Sequence, residues 1–202
     1  MFMTKKLLVA TRNSGKVREF SRMLSRMPFK LVGLDDLGIT LEVKETGSTF
    51  EENAVIKARA YARESGELTI ADDSGLEIDS LNGEPGVLSA RYGGEGLDDE
   101  GRAQLVLDKM KHLPGWARTA RFVAVLALVG GAVPGGVVTS RGVMEGAIMH
   151  EPIGENGFGY DPVFWLASYA KTTAQLTGEE KDEISHRGTA LRGLTDTLGS
   201  LV

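Results

Sequence analysis

Apolar residues along this chain fall into short blocks parted by polar loops, and the spacing within each block predicts its element. Leu7–Ala10 is an unbroken apolar run, so Lys6–Ala10 reads as a buried strand and Thr11–Gly15 as a tight polar loop after it. Val17, Phe20, Met23 and Leu24 then recur on one helical face over Lys16–Met27. Thr49-Phe50-Glu51-Glu52 fits a capping box, and the helix it opens runs to about Ser65 with Phe50, Ala54, Ile56-Lys57-Ala58 and Tyr61. Thr69–Ala71 is predicted as a short strand stopping at Asp72-Asp73-Ser74-Gly75. Asp98–Lys111 is a helix, acidic at its start and basic at its end, as the helix dipole favours. Thr119–Val129 and Val137–Met149 form an antiparallel-looking pair around the Gly- and Pro-rich turn 130–136. Short elements follow, and a closing helix carries Leu191, Leu194 and Leu198. The strand–loop–helix opening and the mixed order predict one α/β domain over residues 1–202.

Composition narrows the chemistry. There are no cysteines, which excludes disulfides, thiolate nucleophiles and iron–sulfur centres. Three histidines, His112, His150 and His186, make a histidine-rich metal centre a poor expectation. A net charge of −5 argues against a sequence-independent grip on a nucleic-acid polymer. The longest apolar stretch, Phe122–Val129, is too short to span a bilayer, and the start lacks the long apolar segment of a secretory signal. A cytoplasmic protein without membrane partners is expected, with Met1 or Met3 as its start. The 26 glycines exceed ordinary usage, so their placement matters.

Four segments hold candidate chemistry, each open to a plainer reading. Thr11-Arg12-Asn13-Ser14-Gly15-Lys16 joins a strand to a helix, where backbone N–H groups and a lysine suit a phosphate; a capped turn with a solvated lysine is the alternative. It is no Walker A loop, since Val17 follows Lys16. Asp72-Asp73, with Glu45 as a third acid, are hard oxygen donors that suit Mg2+, or else they cap a turn. Glu51, Glu52 and Asp98-Asp99-Glu100 read as helix-start residues. Gly157-Phe158-Gly159-Tyr160-Asp161 could offer a stacking face for a base, or fold its aromatics onto the core. Lys181 sits behind a second capping box, Thr177–Glu180, and a cap at Ser185 would put His186 and Arg187 in a first helical turn. Cations there suggest an anionic or acceptor ligand, against a surface or core histidine.

Taken in order, these segments carry a resemblance. Thr11–Lys16, Glu45–Ala54 with Lys57-Ala58, Ala71–Leu76, Pro85-Gly86, Ser89–Tyr92, Ala120–Phe122, Gly157–Pro162 and Ser185–Gly188 follow the pattern of a known family. The chain resembles the inosine-triphosphate/dITP–XTP pyrophosphatases, which hydrolyse non-standard purine nucleoside triphosphates to the monophosphate and pyrophosphate. The resemblance implies an elongated mixed sheet flanked by helices, two lobes with the nucleotide in a cleft between them, and a homodimer. It implies that Asp73 is the base acting on water and that Glu45 and Asp73 attend Mg2+. Thr11, Asn13 and Lys16, within the loop that also holds Arg12, Ser14 and Gly15, match the triphosphate seat, with Lys16 assisting catalysis. Ser74 matches a substrate contact. Phe158, Gly159, Tyr160, Asp161, Lys181, His186 and Arg187 match the base pocket. Arg12 stands where many members have a small residue. A Maf-like pyrophosphatase acting on other nucleotides, or a non-catalytic nucleotide sensor, are the competing readings.

Overall fold

The computed structural model describes residues 4–202; the candidate starts Met1 and Met3 lie outside the described residues. Among these residues the strands form one seven-stranded sheet in the order β2-β1-β3-β4-β5-β6-β7. They are β1 (Lys6–Val9), β2 (Lys30–Gly33), β3 (Leu68–Ile78), β4 (Thr119–Val129), β5 (Val137–Ile148), β6 (Phe164–Leu166) and β7 (Lys171–Thr172). β1 pairs in parallel with β2 and with β3, whereas β5–β6 and β6–β7 are antiparallel. The mixed α/β class is therefore as expected. The longer helices are α1 (Ser14–Met23), α2 (Phe50–Ser65) and α3 (Asp99–Met110); α4 (Gly178–Ile184), α5 (His186–Arg192) and α6 (Thr195–Ser200) close the chain.

Local chemistry explains most boundaries. Asn13 caps α1 by accepting the Lys16 N–H at 3.0 Å. α1 ends at Met23, earlier than its periodicity suggested, and the chain turns before Pro28. The Thr49/Glu52 box opens α2, and Gly66 closes it in the left-handed region. The box at Thr177/Glu180 opens α4 as predicted, and Ser185 is the extended residue between α4 and α5. The leucine-bearing closing helix divides into α5 and α6.

One expectation fails instructively. The strand predicted to stop at Asp72 runs eleven residues, so Asp72, Asp73, Ser74 and Gly75 lie inside β3 and not beyond its end. Charged residues normally end a buried strand; here each carboxylate meets a cation, so the strand continues. Gly75 is needed for a further reason. A Cβ there would lie 2.3 Å from Ser89 Oγ and 2.5 Å from the Gly86 carbonyl, so that stretch of backbone packs against β3 only because the side chain is absent.

The chain divides into two compact units. Unit 1 comprises the chain up to Asp73, Ala124–Gly142 and Arg187–Val202; unit 2 comprises Ser74–Val123 and Val143–His186. Each has its own apolar core. In unit 1, Leu7, Val9 and Ile70 pack with Phe20, Leu126, Leu191 and Leu198. In unit 2, Leu76, Val106, Met110, Phe122, Met144 and Phe164 do the same. Unit 2 also buries Arg118, whose guanidinium donates to the carbonyls of Met110, Ile148 and Met149 at 2.5–2.7 Å, satisfying the end of α3.

Candidate active site

Unit 1 gathers a chain of alternating charges. Lys16, in the first turn of α1, brings Nζ within 3.0 Å of Asp72 Oδ2. The same oxygen accepts from Arg187 Nε at 2.9 Å, and Arg187 Nη1 donates to Glu19. Asp72, Glu19 and Arg187 are all buried. Burial alone would raise the Asp72 carboxyl, but Arg187 and Lys16 outweigh it and hold the group well below the usual carboxylate range. Burial likewise opposes charge on Arg187, yet Asp72 and Glu19 raise its pKa further. Lys16 moves the other way. Burial lowers its pKa despite Asp72, with the Arg187 and Lys57 charges adding to the effect.

The next residue along β3 faces a different set of groups, because adjacent strand residues point to opposite sides. Asp73 Oδ1 lies 2.8 Å from Lys57 Nζ, and its Oδ2 accepts from Asn53 Nδ2 at 3.3 Å. Lys57 also donates to Glu45 Oε1 at 2.6 Å, so one ammonium joins the two acids. Asn53 and Lys57 stand one helical turn apart on α2, which aims both at Asp73. Asn53 Oδ1 further accepts the Gly47 N–H at 2.8 Å, fixing the segment that carries Glu45. Burial raises the Asp73 pKa, and Glu45 adds to this against the pull of Lys57. Lys57 itself is raised: burial would lower it, but Asp73 and Glu45 prevail.

Two carboxylates reached by a single cation are a donor set of the kind that suits a divalent metal, with substrate phosphates and water completing its shell. Among the described residues no group of three or more His, Asp or Glu side chains forms a protein-only metal cage.

In unit 2, the glycine loop is organised by Asp161. This buried carboxylate accepts from the Phe158 N–H at 2.8 Å, Thr173 Oγ1 at 2.9 Å and Lys181 Nζ at 2.5 Å. A Cβ on Gly157, whose φ is +81°, would lie 2.0 Å from Asp161 Oδ2, so only glycine permits this turn. Lys181 Nζ also sits 5.0 Å from the Phe158 ring centroid, within cation–π range. His186 stacks on Phe122, with centroids 4.9 Å apart and planes at 14°. Gly159 donates its N–H to Asp99 at 2.8 Å.

The predicted residues are thus sorted by unit. Thr11, Asn13, Ser14, Gly15, Lys16, Glu45 and Asp73 lie in unit 1; Ser74, Phe158, Gly159, Asp161, Lys181 and His186 lie in unit 2. Three differ from expectation in their contacts. Arg187, expected beside a base, gives its guanidinium to Asp72 and Glu19. Arg12 turns from its loop to Asp35 and the Ile39 carbonyl. Tyr160 is buried, with its hydroxyl on the Ser89 carbonyl at 2.9 Å and its pKa raised by burial, so it packs the loop from behind. Asn53 and Lys57 lie in the matching stretches but were given no site role, and Glu19 was not singled out from the sequence. Asn53 and Lys57 were findable, since both are polar residues on the helical face that Phe50, Ala54, Ala58 and Tyr61 bury.

Comparison with known proteins gives a single result. The family model described as the Ham1 family matches residues 7–197. A dITP/XTP pyrophosphatase of Bacillus subtilis (strain 168) is 47% identical over 199 residues, covering 98% of this chain and 99% of the relative. One from Exiguobacterium sibiricum is 50% identical over 194 residues, covering 96% of each. Among solved structures, the Staphylococcus aureus Ham1 protein superposes with a TM-score of 0.85 at 40% identity, covering 98% of this chain and all of that one. A HAM1 protein from Coxiella burnetii gives 0.86 at 41% identity, covering 97% and 99%.

Proposed function

Because this chain belongs to the Ham1 family, we propose that it hydrolyses the triphosphates of non-standard purines (dITP, ITP and XTP) to the nucleoside monophosphate and pyrophosphate. It is a nucleoside-triphosphate pyrophosphatase, a hydrolase that removes these nucleotides from the pool. The observation that carries the site assignment is Asp73: a buried carboxylate with a raised pKa, oriented by Lys57 and Asn53 and facing Glu45.

The reaction is in-line attack of water on the α-phosphorus with pyrophosphate leaving. Asp73 takes the proton from water; a carboxylate whose pKa burial has raised is a better base near neutral pH than an ordinary one. Lys57 and Asn53 hold its oxygens in place. The triphosphate settles on the first turn of α1, where Lys16 and the backbone N–H groups after Asn13 meet its negative charge. Arg187 keeps Asp72 ionised, and Asp72 in turn positions Lys16. Pyrophosphatases of this type use a divalent metal, which we take as Mg2+ on Glu45 and Asp73; when bound it neutralises phosphate charge and supports the leaving group.

The family resemblance assigns the base to the Phe158 loop and His186. Phe158 offers a ring face, kept in place by Lys181 and by the Asp161 clamp. An N–H of His186 pairs with the oxygen at C6 that hypoxanthine and xanthine carry and adenine lacks. A site built on such hydrogen bonds discriminates by about 10⁴-fold. The whole chain acts as one catalytic domain, as a homodimer in the cytoplasm. No described helix is long and apolar enough to cross a membrane. The deciding experiment is a panel of dITP, XTP, dUTP, GTP and ATP with Mg2+, scoring pyrophosphate against orthophosphate. Pyrophosphate from dITP and XTP is expected, and orthophosphate as the primary product would refute the assignment.

A further inference from the structure

Two hydrogen bonds close the loop between β1 and α1 locally. Asn13 N–H donates to Thr11 Oγ1 at 3.2 Å and Lys16 N–H donates to Asn13 Oδ1 at 3.0 Å, both within one short segment. Arg12 alone among the loop's first three side chains reaches a distant part of unit 1. Its Nη1 donates to Asp35 Oδ1 at 2.9 Å and its Nη2 to the Ile39 carbonyl at 2.6 Å. Those acceptors sit on a turn that is itself fixed. Asp36 Oδ2 accepts the Gly33 N–H at 2.7 Å, Ile39 N–H returns to the Leu34 carbonyl at 3.0 Å, and Leu34 and Ile39 are buried. The rigid guanidinium fork presents two separate nitrogens to the two acceptors in a fixed geometry. Asp35 is 93% exposed, so the ion pair by itself adds little to folding stability. Its effect falls on the freedom of the loop.

We propose that Arg12 is a positioning residue, which ties the loop 11–15 to the turn 35–39 and so holds the loop in its phosphate-receiving shape before nucleotide arrives. The functional half of this rests on reading that loop as the triphosphate seat; the tether does not. A loop that spends less time in the competent shape binds more weakly by that fraction. The test uses Arg12→Ala, Asp35→Ala and the double variant of the full chain, with steady-state dITP hydrolysis and amide hydrogen exchange of the two segments. Arg12→Ala should raise KM about five- to tenfold, and Asp35→Ala, which keeps the Ile39 bond, about two- to threefold with kcat unchanged. The double variant should be no worse than Arg12→Ala. Exchange should quicken in both segments of Arg12→Ala. If Arg12 instead gripped phosphate directly, Asp35→Ala would free it, and KM would stay or fall; that result overturns the proposal. So do unchanged exchange rates in Arg12→Ala, whatever the activity. Quickened exchange in a protein whose wild type releases no pyrophosphate upholds the tether and ends the pyrophosphatase reading.

Discussion

Replacing Arg187 by methionine tests the charge chain of unit 1 most directly. Arg187 is 2% exposed, and it faces Asp72 and Glu19, which are nearly as buried. With Lys16, two cations balance two carboxylates. Methionine keeps much of the apolar stem but removes the charge that Asp72 and Glu19 share. Removing one partner of a buried pair typically costs about 3–5 kcal/mol, and the site here is dry enough for that range to apply. Against a total stability of about 5–15 kcal/mol, this is a large fraction. With a urea m-value of about 2–3 kcal/mol/M, the unfolding midpoint followed by circular dichroism should fall by about 1.5 M. Adding Glu19→Gln restores the balance of one cation to one carboxylate, and should recover about half of the loss. The pH dependence has a definite sign. Asp72 titrates far lower folded than unfolded, so its contribution is fully present above the unfolded value near 3.9 and fades only as pH falls through the folded one. The gap between wild type and variant should therefore persist at pH 4 and close only in stronger acid. A midpoint shift below about 0.3 M, or a double variant weaker than the single one, would refute the reasoning.

Other expectations follow from the same geometry. Asp73→Asn should lower kcat by about 10²–10⁴-fold while leaving the unfolding midpoint close to wild type, as stopped-time pyrophosphate assays would show. Lys57→Met takes the shared ammonium from Asp73 and Glu45, so the Asp73 pKa rises and the acid limb of kcat/KM moves to higher pH; an unmoved limb would remove Lys57 from the site. Chelation by EDTA should stop pyrophosphate release and Mg2+ should restore it. Glu84, whose carboxyl is lowered by hydrogen bonds from Tyr92 and Lys109, lends stability above its unfolded value that is lost as pH falls through the folded one. The stability gap between wild type and Glu84→Gln should thus be open at pH 7 and narrow as the pH falls below the unfolded carboxylate value.

Much of this was legible from residue order. Periodicity placed α2 and α3, capping boxes marked the starts of α2 and α4, and the ordered motifs pointed to the family. What escaped was tertiary. Asp72-Asp73 reads as a strand end because a lone carboxylate does not stay in a buried strand, and only the fold reveals Arg187, Lys16 and Lys57 beside them. Arg187 follows His186 directly, yet the two side chains serve different units, and adjacency in sequence cannot separate their tasks. Glycine was likewise ambiguous. An excess of glycine does not say what each one makes room for, and the space left by Gly75 and Gly157 is taken by Ser89 and Asp161 of the chain itself.

The discontinuous make-up of the two units bears on synthesis at the ribosome. Unit 2 has all of its residues once His186 has been made, whereas the core of unit 1 joins Leu7 and Val9 to Leu191, Leu194, Leu198 and Leu201. At about 5–20 residues per second, the first strand waits roughly 10–40 s for the leucines that cover it. Until those leucines are made, the part of the unit 1 core that they cover stays open. Completion of the late leucines, and not the emergence of any early helix, is the event that lets the core of unit 1 close.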